Sequence, residues 1–190
     1  MWKAYLGVLL FGGAHLWGIL LPAQRDRLKA GMGEGVYKGA YSVATLAGLV
    51  LLVMAYLGAR SGPASLDMFY EPWLGAVHLY ALMVWMAFVL IGASGGKGYI
   101  KAWVRHPMSL GFALWSAAHL MANGEKALVW LFGSIFAVAV ADLVFSFARG
   151  KRPLHQPVIS SDLKAIVIGS VLFLIFLLGF HPYVLNVPVV

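Results

Sequence analysis

The sequence contains no cysteine among its 190 residues. This absence excludes disulfide frameworks, thiolate zinc sites, iron–sulfur clusters, cysteine nucleophiles and covalent attachment of a c-type haem. Charged residues are also few, at 11% of the chain, whereas a typical soluble domain has about 25%. Because 62% of the residues are hydrophobic, too little charge remains to cover a water-exposed surface. The composition therefore excludes a soluble globular protein and predicts an integral membrane protein.

Hydrophobic segments long enough to cross about 30 Å of hydrocarbon occur at least five times. The predicted spans are Ala4–Leu21, Tyr37–Leu57, Trp73–Gly92, Met108–Met121, Ala127–Phe147 and Ala165–Phe180. The fourth is the shortest; it follows Pro107 and is predicted to extend to Asn123, with Gly124 as its C-terminal cap. The sixth is predicted to stop at His181-Pro182. With no repeat or long linker, the sequence predicts an all-α, polytopic membrane helix bundle of about six transmembrane helices, forming a single domain over residues 1–190.

The distribution of Lys and Arg predicts how this bundle is oriented. With six spans, eleven of the fourteen basic residues fall on one side of the membrane and three on the other. The positive-inside rule places the eleven in the cytoplasm and both termini outside, which in a bacterial inner membrane is the periplasm. Topology thus accounts for the net charge of +7, and we expect no nucleic-acid partner.

Four ionisable residues lie inside the predicted spans: His15, His78, His119 and Asp142. Such a residue costs about 2–3 kcal/mol in hydrocarbon, so it is a candidate for function. A single histidine would be explained by a hydrogen bond between helices. Three histidines with no thiolate and few carboxylates favour haem iron, and without cysteine the haem must be a non-covalent haem b.

The neighbours of these histidines leave alternatives open. Gly12 and Gly18 share the helix face of His15, which would admit either a flat macrocycle or a neighbouring helix. Ser116 and Asn123 share the face of His119 and would either orient its imidazole or bond to another helix.

Depth gives a separate criterion for choosing a ligand pair. A rise of 1.5 Å per residue puts His15 about 10 Å and His119 about 20 Å inside the cytoplasmic boundary. His78 lies close to the level of His119, so depth alone favours the pair His78 and His119.

Further candidates lie near the predicted membrane boundaries. Arg105 and His106 form a cationic cluster that would meet haem propionates or a lipid phosphate, or would serve as an interfacial anchor. His155 is expected in solvent and His181 at the interface. Asp142 is expected to pair with Arg105 or Arg149.

Several motifs of the chain resemble the NnrU family of membrane proteins. They are His15-Leu16 with Pro22 and Arg25, Gly33–Tyr37, Arg105–Gly111, Leu114-Trp115, Ala118–Glu125 and Val138–Asp142. The resemblance covers roughly residues 10–145. The run from Arg105-His106-Pro107 to Ala122-Asn123-Gly124 is its most specific part.

The resemblance implies a function as well as a fold. The family includes bacterial proteins linked to denitrification and nitric oxide metabolism, and its plant relative, the 15-cis-zeta-carotene isomerase, is a haem b membrane enzyme. The residues of this chain that match the relative's proposed haem-iron ligands are His15 and His119. Ser116 stands where the plant enzyme has a cysteine, so an exchange from imidazole to thiolate is impossible here.

Three classes of function follow. The first is a haem b membrane protein whose iron is the reactive or sensing centre, acting on an apolar polyene as a cis-trans isomerase or on a small gas. The second is a methyltransferase of the isoprenylcysteine type that uses S-adenosylmethionine. That enzyme shares an Arg-His-Pro turn but needs an acidic pair where this chain has the basic loop Arg149–Pro153. The third is a non-catalytic membrane protein.

The charge distribution yields a testable topology. Reporter fusions after Gly31, Lys97 and Lys151 should report the cytoplasm, because these loops carry the excess of basic residues. Fusions after Pro63 and at the C-terminus should report the opposite side of the membrane. A cytoplasmic C-terminus would show that the fourth span does not cross.

Overall fold

A computed structural model describes residues 1–62 and 67–187 of the chain. Its eight helices, counted over these residues, are α1 Trp2–Leu20, α2 Pro22–Met32, α3 Glu34–Arg60, α4 Val77–Ser94, α5 Tyr99–Val104, α6 Pro107–Ala122, α7 Lys126–Ala148 and α8 Ile159–Val184. The described residues contain no β-strand, only a single bridge between Met68 and Glu125. The predicted all-α membrane bundle is confirmed.

Within the described part of the chain, five helices are long and apolar enough to cross a membrane: α1, α3, α4, α7 and α8. The fourth predicted span corresponds to α6, which has 16 residues and extends over about 24 Å. On α3, exposed aliphatic side chains recur every three or four residues: Val43, Leu46, Val50, Val53 and Leu57. A helix whose exposed face is this apolar is suited to lipid rather than water.

The last helix continues beyond the predicted end of its span. Its α-helical part, Ile159–Ile175, is followed by a π-helical part, Phe176–Val184, that contains His181 and Pro182. The prediction that His181-Pro182 stops this helix is therefore wrong. The wider π turn accommodates a proline that would disrupt an α-helical turn. A second π segment, Leu9–Gly13, lies within α1.

The contacts of the chain cluster in two compact units. The first unit comprises Met1–Pro72 and Asn123–Phe145, and the second comprises Trp73–Ala122 and Ser146–Val190. Each unit is described by itself below. The single domain over residues 1–190 stays a prediction.

In the first unit, α1 and α3 meet through their backbones. A Cβ atom added at Gly48 would lie 2.4 Å from the Phe11 nitrogen, and one added at Gly7 would lie 2.8 Å from the Gly48 carbonyl oxygen. Leu52, one turn along α3, is completely buried beside this contact. Apolar helices in lipid gain little from hydrophobic association. Van der Waals contact between backbones that approach closely at small residues therefore stabilises the packing.

A loop of the first unit crosses directly over Gly124. The backbone of Phe69 donates to the Gly124 carbonyl at 2.8 Å, and the Tyr70 hydroxyl donates to the Asn123 carbonyl at 2.9 Å. A Cβ atom at Gly124 would lie 1.7 Å from the Tyr70 carbonyl oxygen. Gly124 does not have the positive φ of a left-handed cap. The predicted capping role is thus wrong, and the loop's close approach is what requires glycine here.

In the second unit, α4 lies between α6 and α8 and contacts both at glycines. A Cβ atom at Gly111 of α6 would lie 2.9 Å from the Ala87 carbonyl oxygen, and one at Gly169 of α8 would lie 2.7 Å from the Val89 Cα. Trp85 of α4 also donates to the Ser170 hydroxyl at 2.9 Å. These contacts fix the register of α6 and α8 on α4.

A buried carboxylate ties α8 to the start of α5. Asp162 is 6% exposed and accepts hydrogen bonds from the backbone of Tyr99 at 2.7 Å and of Ile100 at 3.1 Å. These are the first two residues of α5, whose amide groups have no acceptor inside the helix. Asp162 therefore caps a helix that begins 63 residues earlier in the chain, a role that local sequence patterns do not reveal.

The glycine contact between α1 and α3 makes a prediction with an internal control. Gly48→Ala should lower the free energy of unfolding by about 1–3 kcal/mol, because the added Cβ meets backbone that must move. Gly39 lies in the same helix with no atom within 4 Å of its Cβ position. Gly39→Ala should leave stability unchanged or raise it by up to about 1 kcal/mol. Thermal unfolding in detergent measures both, and equal melting temperatures would contradict the proposed contact.

Candidate histidine site

His15 lies in the first unit, two residues after the π segment of α1. Its Nδ1 donates to the Phe11 carbonyl oxygen at 2.7 Å, and its ring meets the edge of Tyr41 at 5.4 Å between centroids. The ring borders an open groove of about 320 Å³ between α1 and α3. Ser42 and Thr45 supply hydroxyl groups to this otherwise apolar groove.

The glycines beside His15 have packing partners. A Cβ atom at Gly12 would lie 4.0 Å from the Ser134 Cβ of α7, and one at Gly18 would lie 3.8 Å from the Arg25 Cδ. Arg25 also donates to the Gly18 carbonyl at 3.5 Å, reaching back from α2 to the last turn of α1. At these distances an added Cβ would make ordinary van der Waals contact, so packing does not require glycine at either position, and both interpretations of the sequence stay predictions.

His119 lies in the last turn of α6, in the second unit. Its Nδ1 donates to the Trp115 carbonyl oxygen at 2.8 Å, and its ring tilts against the Trp115 indole at 4.7 Å. The Ser116 hydroxyl is completely buried and donates to the Phe112 carbonyl at 2.6 Å. The imidazole is therefore held by a backbone carbonyl one turn earlier, and the Ser116 hydroxyl bonds to its own helix rather than to the ring. Orientation by Asn123 stays a prediction.

His181, which the sequence placed at the interface after the last span, lies inside α8. Its Nδ1 donates to the Phe176 carbonyl oxygen at 2.7 Å. Its ring lies 6.3 Å from the His119 ring between centroids, with the two ring planes 23° apart. The second unit thus brings together two histidines that are 62 residues apart in the sequence. A histidine followed by proline normally marks the end of a helix, so the sequence gives no signal for this pair.

The three histidines share one hydrogen-bonding arrangement. A carbonyl oxygen only accepts, so the proton of each neutral imidazole resides on Nδ1 and Nε2 carries the lone pair. Metal-bound histidines in proteins are held in the same way, with the second ring nitrogen donating to a carbonyl or carboxylate. The residues present therefore fit axial ligation of haem. No three His, Asp or Glu side chains among the described residues gather into a metal-ion site, but haem iron takes four of its ligands from the porphyrin.

The remaining candidates occupy different surroundings. His78 is exposed in the first turn of α4. His155 is partly buried, with Nε2 3.3 Å from the Gly98 carbonyl oxygen, so the expectation that it lies in solvent is wrong. Asp142 lies in the part of α7 that belongs to the first unit, whereas Arg105 and Arg149 belong to the second.

Arg105 and His106 both pack on Phe147. The Arg105 guanidinium lies 5.7 Å from the Phe147 ring centroid, and the His106 ring meets the same ring edge-on at 5.1 Å. Nε2 of His106 is buried and has no hydrogen-bond partner among the described residues. An unsatisfied buried group of this kind costs about 1–3 kcal/mol.

The turn between α5 and α6 holds Arg105 in an unusual backbone conformation. Arg105 has φ 66° and ψ −47°, and the His106 amide donates to the Val104 carbonyl across it at 2.8 Å. This is a γ-turn with positive φ, which is rare and strained for a residue with a side chain. His106 precedes Pro107, which begins α6 and fits its first turn.

Comparison with known proteins identifies the family. The NnrU protein family model matches residues 4–189. This chain belongs to the NnrU family. The match extends the resemblance seen in residues 10–145 to α8, the helix that carries His181. Comparisons with curated proteins and with solved structures gave no match.

The γ-turn makes a prediction about the Arg-His-Pro motif of this family member. Arg105→Gly and Arg105→Ala both remove the guanidinium, but only glycine adopts positive φ without strain. The glycine variant should therefore be more stable to unfolding by about 1 kcal/mol.

Lys101 lies in the α-helical part of α5. There Lys101→Ala should be more stable than Lys101→Gly by about 1 kcal/mol, the reverse of the difference at Arg105. Thermal unfolding of the four variants measures both differences. If alanine is the more stable at both positions, the turn is not strained.

Proposed function

We propose that this NnrU family member binds haem b through histidine ligands inside its membrane bundle. The observation that supports the proposal is the shared geometry of His15, His119 and His181, each of which donates its Nδ1 proton to a helix carbonyl. That bond fixes the ring and increases the basicity of Nε2. The chain has no cysteine, so a thiolate ligand is excluded, and these imidazoles are the axial ligands that we propose for a non-covalent haem.

Two lines of reasoning agree for both His15 and His119. Each occupies a ligand position of the resembled plant enzyme, and the ring of each is held by a carbonyl of its own helix, that of Phe11 for His15 and that of Trp115 for His119. The two residues belong to different units, so the pair His15 and His119 stays a prediction.

The proposed role of the iron is that of a reactive or sensing centre in the membrane. Haem supplies a metal that binds small gases, exchanges single electrons or binds an unsaturated substrate. The chain surrounds its histidines with apolar helices, which suits an apolar polyene or a diatomic gas such as nitric oxide. Arg105 and His106 supply positive charge and an unsatisfied buried nitrogen for an anionic group, a haem propionate or a lipid phosphate. We infer a bacterial inner-membrane location with both termini in the periplasm.

Absorption spectroscopy of the purified protein tests this proposal. Protein expressed with ample haem should show a Soret band, and its pyridine haemochrome should be of b type. His119→Ala should lose haem or convert a low-spin spectrum to high-spin, because few neighbours replace an iron–imidazole bond.

His78→Ala is the matched control, since His78 is exposed and its loss should leave the spectrum unchanged. A folded but colourless wild-type protein would disprove haem binding. In that case binding of S-adenosylmethionine would support the methyltransferase alternative.

A further inference from the structure

We propose that one end of the second unit binds the headgroups of anionic phospholipids. The binding region, called the basic surface below, consists of the exposed cations Lys97, Lys151 and Arg152 together with the exposed apolar side chains of Trp103 and Leu154. Haem plays no part in this interaction, so haem binding and lipid binding can each be disproved separately.

The acidic residues of the chain are divided unequally between the two units. Each unit contains seven of the fourteen basic residues, but the first contains six of the seven acidic residues and the second contains one, Asp162. The net charge is therefore +1 for the first unit and +6 for the second. The positive-inside rule concerns Lys and Arg and gives little weight to acidic residues, so topology does not explain this difference.

The carboxylates of the two units are also used differently. In the first unit, Glu34 lies 3.2 Å from the Lys29 ammonium and 2.7 Å from that of Lys38, so it offsets two basic residues at the surface. In the second unit, Asp162 is buried and accepts hydrogen bonds from the backbone at the start of α5. The second unit therefore has no exposed acidic side chain of its own, and its positive charge is suited to an anionic partner.

The basic residues of the second unit are gathered at one end of its helices. Gly111 near the start of α6 packs on Ile91 near the end of α4, and Ala165 near the start of α8 packs on Gly92 of α4. The end of α4 and the beginnings of α6 and α8 thus lie together. The seven residues lie in the segments that connect or begin these helices: Lys97, Lys101, Arg105, Arg149, Lys151, Arg152 and Lys164.

Hydrogen bonds hold the loop after α7 against the segment before α5. The Val158 amide donates to the Lys97 carbonyl at 2.9 Å, and the Lys97 amide donates to the Ser161 hydroxyl at 3.0 Å. Nε2 of His155 lies 3.3 Å from the Gly98 carbonyl oxygen. The positive charges of the two segments are thereby brought to one surface.

The end of α7 directs two cations of this surface away from the helix. Gly150 has φ 65°, its amide donates to the Phe147 carbonyl at 2.9 Å, and the Lys151 amide donates to the Ser146 carbonyl at 3.2 Å. This pair of bonds is a Schellman motif, in which the chain leaves a helix through a glycine of left-handed conformation. Lys151 and Arg152, which follow this glycine, are both exposed.

Two large apolar side chains are exposed among these charges. Leu154 is 98% exposed and Trp103 is 81% exposed. Tryptophan beside Lys and Arg is typical of the headgroup region of a membrane, and basic segments next to the membrane attract anionic lipids. A partner that offered negative charge alone would leave Leu154 and Trp103 in water. A phospholipid supplies both an anionic headgroup and an apolar region.

Lipid titration of the purified full-length protein in detergent, followed by native mass spectrometry, tests the basic surface. The wild type should bind dioleoyl phosphatidylglycerol in preference to dioleoyl phosphatidylcholine, and added salt should weaken the complex. Each Lys or Arg near an anionic surface contributes about fivefold in affinity. Arg152→Gln should therefore weaken phosphatidylglycerol binding about fivefold, and Lys151→Gln combined with Arg152→Gln should weaken it about 25-fold.

Arg27→Gln is the matched control, because Arg27 is an exposed arginine on α2 of the first unit. It removes the same charge and should leave the affinity for phosphatidylglycerol unchanged. Leu154→Gln should weaken lipid binding although it changes no charge, whereas a site for free phosphate would not respond to it. Because the substituted side chains are exposed, every variant should keep the melting temperature of the lipid-free wild type.

Three results would overturn the inference. Equal binding of the two lipids by the wild type would show that the headgroup charge is not recognised. Equal weakening by Arg152→Gln and Arg27→Gln would show an effect of overall charge rather than of this surface. Displacement of phosphatidylglycerol by inorganic phosphate, with no effect of Leu154→Gln, would indicate a site for a free anion. All three are measured by lipid binding, so a colourless protein would reject the proposed function and leave this test intact.

Discussion

Backbone contact at glycine is the constraint on which both units of this protein depend. Apolar helices in lipid gain little by burying more apolar surface, so they associate where small residues permit close approach. In the first unit, Gly48 admits the backbone of α1 at Phe11. In the second unit, Gly169 admits the backbone of α4 at Val89. These contacts set the register between helices, and the register decides which histidines come close to each other.

A second recurring interaction is the bond from histidine Nδ1 to a carbonyl of its own helix. It satisfies a polar atom that would otherwise be costly in an apolar environment. It also fixes the tautomer and leaves the Nε2 lone pair for a ligand. His15, His119 and His181 all make this bond. The same interaction therefore serves stability in the apolar bundle and would orient the ring for the iron that we propose.

Local patterns in the sequence predicted the helices well, and interactions between distant residues poorly. The ends of α3, α4, α6 and α7 agree with the predicted spans to within a few residues, because apolar run length sets them. The role of Gly124 was predicted incorrectly, since the requirement for glycine comes from the Tyr70 carbonyl of a distant loop. Asp162 was overlooked because the helix that it caps begins at Tyr99. The sequence places His181 at the interface because proline normally ends a helix, whereas here the helix widens to a π turn that contains Pro182.

The sequence by itself determined the membrane class, the absence of thiolate ligands, the family and the candidacy of His15 and His119. Each of these follows from the composition, from the length of an apolar run or from a short motif, and none of them depends on contacts between distant segments. Only the tertiary structure placed His181 beside His119 and both Arg105 and His106 on Phe147. The reason is physical: the partner of a side chain depends on the register between helices, and contacts between separate segments set that register.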